Sequence, residues 1–126
     1  MNHLLIIAHA PLASALRGFS LHAYPELAAQ ISAYDVPASE TREISTQHAL
    51  ALLPTAADVL VCADVFGASP FFVAQAVAAQ RQAKLLVGAN APMLMRACCY
   101  RELPLADWAA KALEGGQRGV LAVEPS

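Results

Sequence analysis

Five short apolar runs divide the chain: "HLLIIA" at 3–8, "QISAYD" at 30–35, "DVLVCA" at 58–63, "KLLVGA" at 84–89 and "RGVLAVE" at 118–124. Continuous apolar runs of this length suit strands buried on both faces. The intervals carry helical spacing instead. Leu12, Leu16 and Phe19 predict a helix over 12–23, and "STQHALALL" predicts one capped at Ser45 or Thr46 after a loop at 37–44. Ser69-Pro70 reads as a hydroxyl N-cap followed by proline at the first helical position, opening a helix through "FFVAQAVAAQRQ". Asn90 can cap a further helix that runs to about Cys99 with Pro92 in its first turn. A last one, "LADWAAKALE", is expected to stop at Gly115-Gly116.

Strands alternating with helices predict parallel pairing, right-handed crossovers and helices on both sheet faces. The expected fold is therefore a doubly wound α/β sheet of four parallel strands plus a C-terminal edge strand. At 126 residues, without a repeat or a long linker, residues 1–126 are expected to form one domain.

Composition narrows the function. The chain is 57% hydrophobic and 14% charged, too apolar for disorder. Its 8 basic and 10 acidic residues are scattered, which argues against a nucleic-acid surface. The run Leu4–Ala8 is shorter than a signal peptide requires, and no stretch approaches the roughly 20 apolar residues of a membrane span. Three cysteines, two of them adjacent at Cys98 and Cys99, make no disulfide framework, so a cytoplasmic setting is expected. His3, His9, His22 and His48 lack metal-ligand spacing, and no Walker loop or acid cluster calls for a nucleotide or magnesium; no cofactor or metal is expected.

Open α/β sheets bind ligands beyond the carboxyl ends of their strands, where strand order reverses. His9 directly follows the first strand and Asp64 the third. If those strands are neighbours, Asp64 can accept from Nδ1–H of His9, leaving Nε2 free as a nucleophile. The segment "GASP" adds Ser69 and the amides of a helix start, a natural anion cradle. Each residue also has a bland reading: a structural histidine, a turn-capping aspartate, a helix-capping serine. Their joint position on one rim favours chemistry.

These stretches resemble a known family. "LLIIAHAPLASAL" resembles the apolar-strand, His-Gly-x-Leu-Ala opening of mannose-family enzyme IIA domains of the bacterial phosphoenolpyruvate-dependent sugar phosphotransferase system. "VLVCADVFGASPFF" is similar to their Asp-Leu-x-Gly-Gly-Ser-Pro-Phe-Asn segment, and "LLVGANAPML" to Gly-x-Asn-Leu-Pro-Met-Leu. The resemblance implies a phosphotransferase in which His9 takes a phosphoryl group on Nε2 from the phosphocarrier protein HPr and passes it to a separate IIB protein. It further implies that Asp64 binds the other ring nitrogen, that Ser69 lies beside the phosphate, and that the chain forms a homodimer exchanging its C-terminal strand. Any membrane contact would be indirect, through a transporter complex.

Four positions depart from the family pattern: Ala10, Ala68, Phe72 and Ala91. They bear on sugar specificity, the IIB partner and the phosphate loop, and none is the proposed nucleophile. The alternative within the same chemistry is a regulatory module that signals through its phosphorylation state. A serine hydrolase fits poorly, because its elbow wants Gly-x-Ser-x-Gly where this chain has Gly67-Ala68-Ser69-Pro70-Phe71. Cys62 reads as core, and Trp108 as a core or interface anchor.

Overall fold

Side-chain alternation along the first strand decides which helices cover which face. In the computed structural model, which describes residues 1–126, β1 spans Asn2–His9 and is buried from His3 to Ala8. Leu4, Ile6 and Ala8 point to one face, Leu5 and Ile7 to the other, as a period of two requires. The chain continues through α1 (Leu12–Ala23), a 3₁₀ turn at Pro25–Leu27, β2 (Ile31–Val36), α2 (Arg42–Ala51) and β3 (Asp58–Ala63). It ends with α3 (Ser69–Arg81), β4 (Lys84–Val87), α4 (Ala91–Cys99) and α5 (Leu105–Arg118).

The four strands are parallel in the order β2-β1-β3-β4. The chain moves outward from β1 to β2, then crosses back to β3, so strand order reverses between β1 and β3. With right-handed crossovers, that reversal puts α1 on one face and α2 and α3 on the other. The two cores follow this division. Leu4, Ile6 and Leu60 pack with Ala13 of α1, Leu94 and Ala97 of α4, and Trp108 and Ala112 of α5. Leu5, Ile7 and Val61 pack with Ala49 of α2 and Val73 and Val77 of α3. Trp108, with no room for water at its indole, donates Nε1–H to the Ala97 carbonyl at 2.7 Å.

Several expected boundaries hold: α1, β3 and the Asn90 cap of α4, whose Oδ1 accepts from Met93 N–H at 2.9 Å, fall where the pattern put them. Others need correction. The cap of α2 is Thr41, four residues ahead of Ser45, and its Oγ1 accepts from Ile44 N–H at 3.2 Å. Ser45 and Thr46 are buried inside the helix. The cap position of α3 is Ala68, so Ser69 is a helical residue and Pro70 follows it in the first turn.

The expected stop at Gly115-Gly116 does not occur; α5 runs through both to Arg118. These glycines serve close packing. A Cβ on Gly115 would stand 2.1 Å from Cγ of Arg96 and 3.1 Å from the Pro92 carbonyl oxygen, and one on Gly119 2.3 Å from the Pro92 ring. Helix α5 therefore lies against α4 with backbone where side chains would normally intervene. The expected fifth strand is also absent from the sheet of this chain: residues 120–126 have no regular structure, and Val120, Leu121 and Val123 are exposed. The helix takes up Arg118, and nothing in the remaining segment pairs with β2 or β4, the two sheet edges.

The close approach yields a test. Gly115→Ala should destabilise the fold by about 1–3 kcal/mol through overpacking against Arg96 and Pro92, measured by urea unfolding. Glycine's usual helix penalty predicts the opposite sign, so a stabilised variant would mean that α4 and α5 are not in tight contact.

Candidate functional site

His9 is the last residue of β1 and shares the parity of Leu5 and Ile7, so its side chain emerges on the face covered by α2 and α3. Pairing between β1 and β3 ends at Ile7 with Ala63, leaving Asp64 just past the end of β3 and beside His9. Its carboxylate turns back to the neighbouring strand. Oδ2 accepts from the backbone N–H of His9 at 3.0 Å and lies 2.6 Å from Nδ1 of the same residue. Oδ1 accepts from Val65 N–H at 2.9 Å.

This arrangement settles the tautomer. An ionised carboxylate can only accept, so Nδ1 carries the proton and Nε2 of the neutral ring carries a lone pair. Burial pushes the Asp64 carboxyl up, but the hydrogen bonds and charge from His9, with the Val65 amide, outweigh burial and hold it below the ordinary carboxylate range. Exposure divides the pair by role: the Asp64 side chain is 4% exposed and the His9 side chain 56%. The anchor is dry and the ring reaches solvent. No protein group hydrogen-bonds Nε2.

The ring borders a cleft of about 340 Å³ whose other walls include Pro37, Arg42, Ser45, Ser69 and Pro70. All three candidate residues read from the sequence thus meet at one place, His9 and Asp64 in direct contact and Ser69 across the cleft wall. Because Ala68 holds the cap position, the Ser69 hydroxyl is not consumed by capping its own helix. Ala68 has φ −86°, which any residue adopts, so the missing glycine leaves the loop unstrained; Gly67, at φ 84°, supplies the left-handed residue the turn needs. Ala10 likewise avoids positive φ.

Sequence reasoning missed a second polar group on the α2 side, because 37–44 reads as loop. Glu40 accepts from the Ser45 hydroxyl at 2.6 Å and from the Tyr34 hydroxyl, and pairs with Nδ1 of His48 at 3.2 Å. The Ser45 and Tyr34 hydroxyls hold its carboxyl below the usual range against the opposing pull of burial. Arg42, at the first position of α2, was missed for the same reason; Thr41, a good capping residue, was the available signal. No group of three or more His, Cys, Asp or Glu side chains is placed to hold a metal ion. Cys62 lies fully buried, its thiol pushed up to about 12 by burial, and Cys98 is buried too.

Comparison with known proteins gives this geometry its context. Residues 3–113 match the family model EIIA-man, described as PTS system fructose IIA component. The chain belongs to this family. No curated protein matches it in sequence. Among solved structures it is similar to the mannose/sorbose specific IIA subunit of the phosphotransferase system from Enterococcus faecalis, with TM-score 0.88, 22% identity, and coverage of 99% of this chain and 96% of that one. It is also similar to phosphotransferase system component EIIA from Streptococcus agalactiae (TM-score 0.85, 21% identity, 97% of each chain). A third is the PTS IIA protein associated with the fucose utilization operon from Streptococcus pneumoniae (TM-score 0.78, 17% identity, 96% and 92%). At these identities the structures establish a shared fold, while the family model establishes membership. This EIIA-man protein is thus an enzyme IIA component of the sugar phosphotransferase system, a phosphotransferase family. No helix in it is long and apolar enough to cross a membrane.

The Asp64 contacts predict a pH signature. A folded-state carboxyl held below its unfolded value of about 3.9 stabilises the fold above that pH, and the contribution is lost as pH falls through the folded value. Replacing Asp64→Asn should therefore cost stability at neutral pH, with the gap to wild type closing below about pH 4. Urea unfolding across that range checks it; a gap independent of pH would mean that the carboxylate's charge is not what stabilises the site.

Proposed function

We propose that this EIIA-man protein accepts a phosphoryl group from an HPr-like phosphocarrier on Nε2 of His9 and delivers it to a separate IIB protein. The observation that carries this reading is an exposed imidazole whose Nδ1 lies 2.6 Å from a buried carboxylate while Nε2 is left unbonded at a cleft.

The mechanism follows from the ring. The Nε2 lone pair attacks phosphorus in line with the donor's nitrogen–phosphorus bond. That bond breaks, and the donor ring, protonated on its other nitrogen, leaves as neutral imidazole. The Nε2–P bond forms, and His9 becomes a phosphoimidazolium whose positive charge faces Asp64. No proton need move during the step, because Nδ1–H is already in place. Asp64 stabilises the charge as it develops and, by accepting from the backbone N–H as well, keeps the ring from turning. Ser69 offers its hydroxyl and a first-turn amide to the phosphoryl oxygens at the start of α3. Transfer from one histidine to another is nearly balanced in energy, so positioning and charge stabilisation are the protein's whole contribution.

Beside the cleft the chain exposes Val65 and Phe66, 53% and 76% accessible, directly after Asp64. An apolar rim next to the nucleophile suits a protein partner that presents its own phosphohistidine. The exposed Val120, Leu121 and Val123 suit a second contact: pairing of the C-terminal segment with another copy of the chain, giving a homodimer.

Incubation with phosphoenolpyruvate, enzyme I and HPr, followed by mass-spectrometric site mapping, should label His9 alone. His9→Ala should remove labelling with the fold intact. Asp64→Asn should slow it by about a hundred-fold or more, since amide substitution removes the charge and permits the wrong tautomer. Labelling of His9→Ala at the wild-type rate would sink the proposal. Deleting residues 120–126 should convert a dimer to monomer in sedimentation measurements; an unchanged dimer rejects the tail as the interface.

A further inference from the structure

Arg42 is the one cation among the residues that line the His9 cleft. It forms no salt bridge, and its side chain makes no hydrogen bond within the chain. Its guanidinium carbon instead rests 4.2 Å above the centroid of the Phe72 ring, which is itself stacked edge-on against Phe71 at 5.1 Å. The carboxylate that shares this cleft is occupied. Glu40, the cleft's one carboxylate, accepts from Ser45 and Tyr34 and pairs with His48. The cleft thus holds a ring with Nε2 unbonded, an acid turned to its own partners, and an arginine with no ionic partner.

A guanidinium parked on an aromatic face is weakly held, because an exposed cation–π contact is modest beside a bidentate pair with a doubly charged anion. Arg42 stands on the first turn of α2, where the helix dipole also favours negative charge in front of it. We propose that Arg42 leaves Phe72 and grips the phosphoryl oxygens once they are carried on Nε2 of His9, opposite Ser69. It is then a catalytic residue of the same site, and this role rests on the assignment of His9 as the carrier. The phosphoryl group moves between imidazole nitrogens as described above. Arg42 gives and takes no proton; two of its N–H groups donate to phosphoryl oxygens before and after the N–P bonds exchange.

The test uses the phosphorylated protein freed of its partners. Wild type and Arg42→Ala are loaded with phosphoenolpyruvate, enzyme I and HPr, repurified, and followed by ³¹P NMR through a pH titration. In Arg42→Ala the second ionisation of the phosphoryl group should move up by about one unit, because a cation that favoured the dianion is gone. Loading should also slow by about ten- to a hundred-fold, with Arg42→Lys in between. Superimposable titrations of wild type and Arg42→Ala overturn the proposal. Where loading alone is slowed, Arg42 touches the donor protein's surface and the proposal is equally overturned. A wild-type chain that takes no phosphoryl group on His9 overturns the carrier assignment itself, and the role of Arg42 with it, an outcome distinct from the other two.

Discussion

One carboxylate oxygen holds the site together. Oδ2 of Asp64 accepts from both the backbone amide and the ring of His9, so a single atom ties the end of β3 to the end of β1 and orients an imidazole in the same act. A buried carboxylate is costly unless its lone pairs are satisfied, and here His9 and the Val65 amide satisfy them. The consequence reaches beyond stability. The carboxylate makes Nδ1 the donor, and that leaves the lone pair on Nε2. The clamp exists only because β1 and β3 are neighbours, and they are neighbours because the chain reverses direction across the sheet between them.

The cleft in front of that ring is electrostatically sorted. Glu40 would repel an incoming phosphoryl group if it faced the cleft unpaired, but two hydroxyls and an imidazole engage it. Arg42 has no such partner and rests on an aromatic ring. The loop after Asp64 meanwhile turns Val65 and Phe66 outward, with Phe66 stacked 4.8 Å from Phe71. Glu40, Arg42, Ser45 and Ser69 supply the polar groups of a cleft whose remaining wall includes Val36, Pro37, Pro70 and Val73. An apolar rim beside such a cleft suits the protein-to-protein transfer proposed above, in which two surfaces exclude water briefly and then separate.

The misread elements share a physical cause. A glycine pair looks like a helix stop because glycine commonly ends helices, yet the same absence of a side chain lets two helices touch. In α5 the second property applies, since Gly115 faces Arg96 and Pro92 of α4 and Gly116 faces Met93. Ser69 looks like a cap because serine before proline usually is one. One residue of difference makes Ala68 the cap position and leaves the serine hydroxyl available to the cleft. In α2, Thr41 caps ahead of Ser45, and the extra helical residues bring Arg42 and Ser45 to the cleft wall.

Local pattern was enough for the class of fold, the four sheet strands, and the two residues that follow β1 and β3. Apolar runs of strand length alternating with helical spacing have few other packings, and the acid and the histidine break those runs at their carboxyl ends. Whether that acid reaches that histidine was not legible, because which strands become neighbours depends on how the intervening helices pack on the two sheet faces, not on any local pattern. The same holds for Glu40, Arg42 and Phe72: they come from separate elements, and only the packing of α2 against α3 on one face of the sheet makes them neighbours. Local periodicity reports what a segment buries. It is silent on which distant segment will be waiting there.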